Sequence, residues 1–389
     1  MKEVLNQRIS AIPPSASLSI TAKAKALKAE GKQVCSLAAG EPDFDTPEHI
    51  KKAAAEALAA GETKYSPAVG LPALKEAICE KLQNENGLSY DTAQVIVSDG
   101  AKHSLFNVFM ALLREGEEVI IPSPFWLSYP EMVAIAGGQA KILKGEEANG
   151  FKITAEDLEA AITSRTKAVV INSPSNPSGI VYTPDELKAL AEVAVKHNVY
   201  IISDEIYEKV LYEDAVHQSV GSFSDEILEM TITVNGFSKA FSMTGWRLGY
   251  AAVPGFLAKA IGALQSHSTS GPNTFAQYGG VAALKGGDDD CAKMVTAFAE
   301  RRDYLHGRLC DINGVSCVKP MGAFYMLPNI SRFGLDSVAF AERLLTEKHV
   351  AVVPGVAFGA PEHVRLSYAC SMDELRESMD RLESFVASL

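Results

Sequence analysis

Short apolar runs alternate with longer amphipathic stretches over the first three quarters of the chain. Six runs read as strands: Gln94–Ser98 (QVIVS), Glu118–Ile121, Lys167–Asn172 (KAVVIN), Val199–Ser203 (VYIIS), Thr231–Val234 and Gly249–Val253. Each is almost continuously apolar rather than alternating, the pattern of strands buried on both faces. Helical periodicity fills the intervals. Thr183-Pro184-Asp185-Glu186 offers Thr as N-cap, Pro at N1 and Glu at N3 ahead of LKALAEVAVKH. Thr46-Pro47 and Ser371-Met372-Asp373-Glu374 read as further helix starts, and Gly61 as a stop. The pattern predicts an α/β fold, a parallel-rich sheet between helices. The alternation ends near residue 285. A charged helical stretch (292–311), an isolated strand (Ala323–Leu327), another helix and the run His363–Tyr368 predict a second, α+β lobe. Residues 1–45 fit no strand–helix unit of the first lobe and are expected to pack on the second.

Composition narrows the chemistry. With 389 residues, 47% of them hydrophobic, the chain can fill more than one lobe. A net charge of −12 opposes binding to nucleic acid or an anionic membrane, yet a few placed cations could still hold a small anion. The six cysteines (35, 79, 291, 310, 317 and 370) form no CxxC pair, so neither a zinc site nor a disulfide framework is expected. They read as reduced core residues of a cytoplasmic protein. The N-terminus has no apolar signal core, and no run of 18 apolar residues predicts a membrane span.

In such sheets ligands bind beyond the carboxyl ends of the strands. The residues following the predicted strands are Asp99-Gly100-Ala101-Lys102, Pro122-Ser123-Pro124-Phe125-Trp126, Ser173 to Gly179, Asp204-Glu205-Ile206-Tyr207, and NGFSKAFSMTGWRLG from Asn235 to Gly249. Each has a plain reading and a chemical one. Lys239 is a solvated surface lysine or, in a desolvated cation-rich site, a nucleophile for a carbonyl carbon. Arg247 is an ion-pair partner or a fork for phosphate, with the amides of the helix start at Gly100, Ala101 and Lys102. Asp204 is a turn residue or an acid for a heteroaromatic nitrogen. Tyr207 and Asn176 are core and turn residues or donors to a ring oxygen. Trp126 is packed or is a ring to stack on. Arg365 lies inside the apolar run HVRLSY, and is half of a buried ion pair or a clamp for a substrate carboxylate. Taken together, the chemical readings describe pyridoxal phosphate.

With these motifs in place, the chain resembles the class I aminotransferases of the pyridoxal-phosphate fold type I over nearly its whole length. GFSKAFSMTGWRLG fits the family's lysine motif. LAAGEPDFDTPEHI, TKYSPAVGLPALKEAI, FWLSYPE, NSPSNPSG and SDEIYE are similar to the bacterial-type aspartate aminotransferase branch. The resemblance implies a mostly parallel seven-stranded sheet in a large domain (46–285), a small α+β domain (16–45 and 286–389) and an N-terminal arm (1–15). It implies that Lys239 bonds the cofactor aldehyde, Asp204 pairs with the pyridine nitrogen, and Tyr207 and Asn176 bind the ring oxygen. Trp126 would stack on the ring. Gly100, Ala101, Lys102, Ser238 and Arg247 would line the phosphate site, with Tyr65 crossing to that of a second subunit in a homodimer with shared sites. Arg365, the Gly40 amide, Trp126 and Asn176 would bind the substrate α-carboxylate, and Lys102 with Ser17 the distal one. Cis peptides are implied before Pro174 and Pro177. Two features depart from the family: Gly236 replaces a common serine, and Gln265 to Asn273 lacks the arginine that animal-type members bring to the distal carboxylate. The expected reaction is ping-pong transfer of an amino group between L-aspartate and 2-oxoglutarate. The alternatives are an aromatic or prephenate aminotransferase, a β-lyase on the same cofactor, or a ligand sensor on this scaffold; no metal is expected.

Overall fold

A computed structural model describes residues 6–14 and 16–389, without side-chain detail at residues 7 and 16–18. Of the expected arm 1–15, residues 1–5 and 15 therefore lie outside the described residues. The strands are β1 (Cys35–Ser36), β2 (Val95–Ser98), β3 (Glu118–Ser123), β4 (Gln139–Lys144), β5 (Thr166–Asn172), β6 (Tyr200–Asp204), β7 (Thr231–Gly236), β8 (Gly249–Ala252), β9 (Tyr325–Met326), β10 (Val350–Ala351), β11 (Val353–Pro354) and β12 (Val364–Ser367).

β2 to β8 form one seven-stranded sheet in the order β2-β8-β7-β6-β5-β3-β4. Neighbours pair in parallel except β8, which is antiparallel to both β2 and β7. Six of these strands coincide with the apolar runs. β4 was not predicted: it pairs only with β3 at the sheet edge and has no buried residue, so QAKILK lacks the apolar run of its neighbours. Alternate residues of these buried strands serve opposite faces. Ile96, Ile121, Val170, Ile202 and Val234 pack toward Leu105, Val108 and Phe109 of the helix Ala101–Leu112. Ile120, Val169, Ile171 and Ile201 pack toward Leu187, Leu190 and Ala194 of the helix Pro184–Lys196. Each such side chain removed from water contributes about 1.5–3 kcal/mol.

The expected capping box at Thr183 forms, and the Ser371 hydroxyl accepts from the Glu374 amide. The start at Thr46 differs. That helix runs Glu48–Ala59 with Pro47 in the N-cap position, and its Thr46 hydroxyl donates instead to the Ser242 carbonyl at 2.7 Å while accepting from Trp246 Nε1 at 3.0 Å. The threonine is diverted to anchoring the loop that carries Lys239.

The remaining strands make two small sheets, β11-β12-β9 (antiparallel) and β1-β10 (parallel). The β1 pairing brings the N-terminal segment onto the C-terminal part of the chain. Ile20, Ala24 and Val34 share a core with Leu345, Ala351, Val353 and Phe358. Among the described residues no helix is long and apolar enough to cross a membrane, and the six cysteines are unpaired.

Candidate active site

Because β8 is antiparallel to its neighbours, the segment entering it lies at the same rim as the segments leaving β2, β5, β6 and β7. Arg247, two residues before β8, thus meets Gly100, two residues after β2. The guanidinium fits only because residue 100 has no side chain. A Cβ on Gly100 would lie 2.6 Å from Arg247 Nη2, and the residue holds φ +89°. Arg247 donates to the carbonyls of Thr244 (2.9 Å) and Asp99 (3.3 Å), and among the described residues no carboxylate lies within ion-pair distance. The first-turn amides of the helix Ala101–Leu112 open beside it. A cation and a helix N-terminus here form an uncompensated anion site. Ser238 lies on the loop after β7, buried, directly before Lys239. At Gly236 a Cβ would come within 3.0 Å of Gly249 Cα, so the strands leave no slack at that position.

The acid of the site ends β6. Asp204 is 4% exposed; Tyr129 donates to its Oδ2 at 2.6 Å and the Ile206 amide to its Oδ1 at 3.3 Å. Burial lifts its pKa to about 6, against the pull of those two donors. Tyr207 is buried three residues on, its hydroxyl 2.9 Å from that of Tyr325. Trp126 meets Tyr129 edge-to-face at 5.2 Å, and the Lys102 ammonium sits 4.8 Å above the indole.

Lys239 donates to the Gly40 carbonyl and stands 5.8 Å from the Tyr207 ring. Burial, then the fields of Arg365, Arg247 and Lys102, bring its pKa down to about 8, with Glu41 opposing. A lysine in this condition is a usable nucleophile and base near neutral pH.

Arg365 occupies β12 and is 2% exposed. Its Nη1 donates to Asn176 Oδ1 (3.1 Å) and its Nη2 to the Ala38 carbonyl (2.9 Å), while Nε has no partner among the described residues. Tyr325 and Phe358 flank the guanidinium at 4.5 and 5.0 Å. The buried ion pair that was the plain alternative for Arg365 is absent among the described residues, which leaves a desolvated cation facing the site.

Most residues singled out in the sequence thus meet through one chain of contacts. Tyr65 does not join it: its side chain is 96% exposed, beside the segment Thr269 to Phe275. Ser17 lies in the helix Ala16–Ala29, and its side chain is outside the described residues. The bonds before Pro174 and Pro177 are cis, as is Ser123–Pro124, which was not foreseen. Sequence reasoning missed four participants. Tyr129 and Tyr325 supply hydroxyls, Glu41 supplies the negative field that opposes the lowering at Lys239, and Asn172 ties the Asp204 carbonyl to the Asn176 amide. Tyr129 alone left a signal, one helical turn after Trp126.

The donor set fits a phosphorylated pyridine aldehyde: an anion site, an acid for the ring nitrogen, an aromatic face and an amine of lowered pKa. The family model "Aminotransferase class I and II" matches residues 32–382. The chain is 52% identical over 387 residues to an aspartate aminotransferase of Geobacillus stearothermophilus, with 98% of each chain covered. It is 46% identical to an aspartate/prephenate aminotransferase of Cereibacter sphaeroides, covering 99% of each. The Thermus thermophilus aspartate aminotransferase solved with maleate superposes with a TM-score of 0.95 at 47% identity and 99% coverage of both chains. The chain therefore belongs to the class I and II aminotransferase family, with the fold of the type I enzymes and pyridoxal 5′-phosphate as its cofactor.

Proposed function

We propose that the protein is an aspartate aminotransferase. It moves the amino group of L-aspartate to 2-oxoglutarate, yielding oxaloacetate and L-glutamate in two half-reactions on one site. The observation that carries this reading is Arg365, a buried guanidinium with, among the described residues, an open Nε and no acid within ion-pair distance, held beside an amine of lowered pKa. Such a cation calls for a substrate carboxylate. The Lys102 ammonium over Trp126 offers a second positive charge for the distal carboxylate, helped by Ser17. The names of the relatives support the same substrate, as does maleate, a four-carbon dicarboxylate, in the Thermus structure.

When bound, pyridoxal phosphate supplies an aldehyde for the incoming amine and an electron-withdrawing ring that acidifies the substrate Cα–H bond. The chain's residues do the rest. Arg365, with the Gly40 amide, Trp126 and Asn176, seats the α-carboxylate and so fixes Cα against Lys239. Lys239, the amine that would bond the cofactor aldehyde between turnovers, would be the base whose Nζ accepts the substrate Cα proton, holds it and gives it back. Asp204 would keep the ring nitrogen protonated. Tyr207 and Asn176 would donate to the ring oxygen, and Trp126 would cover one face. Gly100, Ala101, Lys102, Ser238 and Arg247 would hold the phosphate. The protein works as a cytoplasmic homodimer in which Tyr65 reaches the phosphate bound by a second copy; the exposure of Tyr65 and the unpaired cysteines support this. Its lobes are residues 46–285 and residues 16–45 with 286–389, preceded by the arm 1–15.

Half-reactions test the reading. Aspartate should bleach the visible band of the bound cofactor and 2-oxoglutarate should restore it. Both should act at least tenfold faster than phenylalanine, or than prephenate presented to the aminated form. A faster response to phenylalanine or prephenate would replace aspartate by the aromatic substrate. Release of ammonia would point to the lyase.

A further inference from the structure

Resting on the reading of Asp204 as the acid of the ring nitrogen, we propose that Tyr129 is its positioning residue: the buried phenol keeps the Asp204 carboxylate ionised and aimed at the ring slot. Three observations carry this. First, the Tyr129 hydroxyl donates to Asp204 Oδ2 at 2.6 Å, a short distance characteristic of a charge-assisted bond. Second, the pair is dry, with Tyr129 1% and Asp204 4% exposed. A hydrogen bond to an ion is worth most where water cannot replace it. Third, Tyr129 is itself fixed. It lies in the first turn of the helix Ser128–Ile135, its amide donates to the Trp126 carbonyl at 3.0 Å, and its ring abuts the indole edge-to-face. One short segment therefore sets both the stacking face of the slot and the state of its acid.

No other side chain among the described residues donates to this carboxylate. Asn172 bonds the Asp204 main-chain oxygen, at 3.0 Å, and the second carboxylate oxygen has only the 3.3 Å amide of Ile206. The charged and titratable groups facing Asp204 are Tyr129 from its helix, Glu205 and Tyr207 from its own segment, and Lys239 from the loop after β7. Glu205 disfavours the carboxylate and Lys239 favours it. Burial holds the Tyr129 phenol well above its ordinary pKa, so it stays a donor at every working pH. With the carboxyl already lifted by burial, losing this donor moves it further up, toward the neutral acid that cannot neutralise a protonated ring nitrogen.

The test is Tyr129→Phe, which keeps the ring and removes the hydroxyl. In the cofactor-free full chain, the carbon-13 carboxyl signal of Asp204, identified by its loss in Asp204→Asn, should titrate about one to two pH units higher than in the parent. In the loaded enzyme, kcat should fall about tenfold or more and the cofactor Kd rise about tenfold, while KM for both substrates stays within about twofold. An unmoved Asp204 titration overturns the proposal, even where thermal stability falls, because a purely structural tyrosine would behave so. Should Tyr129→Phe not fold, 3,5-difluorotyrosine at position 129 is a stronger donor and should move the titration down; no movement overturns the proposal equally. Failure of the chain to take up pyridoxal phosphate would sink the reading of Asp204 but leaves the titration readable on its own.

Discussion

Arg365 sits in β12 between Val364 and Leu366, and among the described residues its charge is met only by two neutral oxygens and two aromatic faces. A guanidinium so desolvated is stabilised when a carboxylate arrives, because the fork gains two charge-assisted bonds in a medium of low dielectric. This one residue holds a demand that a carboxylate would meet. Arg365→Leu should therefore raise KM for every amino acid and oxo acid substrate alike, by about a hundredfold, while leaving cofactor affinity within about threefold. Steady-state kinetics on mono- and dicarboxylic substrates decides this. A loss confined to dicarboxylates would move the α-carboxylate elsewhere.

At the scale of elements, the anion site depends on how closely the helix Ala101–Leu112 begins against β8. Gly249 permits that approach: a Cβ there would stand 2.3 Å from the Ala101 amide nitrogen and 2.6 Å from the Gly100 carbonyl carbon. Backbone cannot yield as a flexible side chain does, so the helix start must shift. Gly249→Ala should lower cofactor affinity at least tenfold and cost about 1–3 kcal/mol in unfolding free energy. Gly245→Ala, in open space on the same loop, should do neither. Cofactor titration and denaturant unfolding of both variants provide the comparison. Equal behaviour of the two would mean that the helix start has room to spare.

Across the whole molecule, a buried polar network lies behind the acid of the site. Glu208 receives Lys81 and Asn86, Glu205 receives Ser203, Ser219 and His217, and Asn86 bonds Ser219. The network joins the helix Pro72–Asn86 to the segments following β6. Burial pushes Glu208 up, but Lys81 and His217 outweigh it and bring the pKa down to about 2 from 4.5. With a folded pKa below the unfolded value, the unfolded state binds more protons between these limits. The stabilisation is then fully present above about pH 4.5 and is lost as pH falls toward 2. Urea midpoints measured over that window should fall in the parent and flatten in Glu208→Gln. Parallel curves would remove Glu208 from acid unfolding. Glu147 forms a second long-range junction, accepting from Ser316 and Asn329 at 2.7 and 2.8 Å and lying 3.2 Å from His363 Nε2.

Much of this was legible in the chain. Continuous apolar runs marked six of the seven strands of the large sheet, the edge strand β2 included, because a strand buried on both faces has no other composition available. Their following residues named the rim, and hence Lys239, Asp204, Asn176 and the start of the helix Ala101–Leu112, because parallel strands end on the same side. Strand β4 was not legible, since an exposed edge strand needs no apolar run. Arg247 beside the helix start at Gly100 was legible, whereas Tyr129 on Asp204 and Glu41 near Lys239 were not. These depend on where separate segments meet in space, and a local pattern carries no information on that. The sequence determined which chemistries the chain holds, through periodicity and motif. The tertiary structure decided which charges go unanswered: only packing strips water from Arg365, Lys239 and Asp204, and only that desolvation turns ordinary side chains into a site.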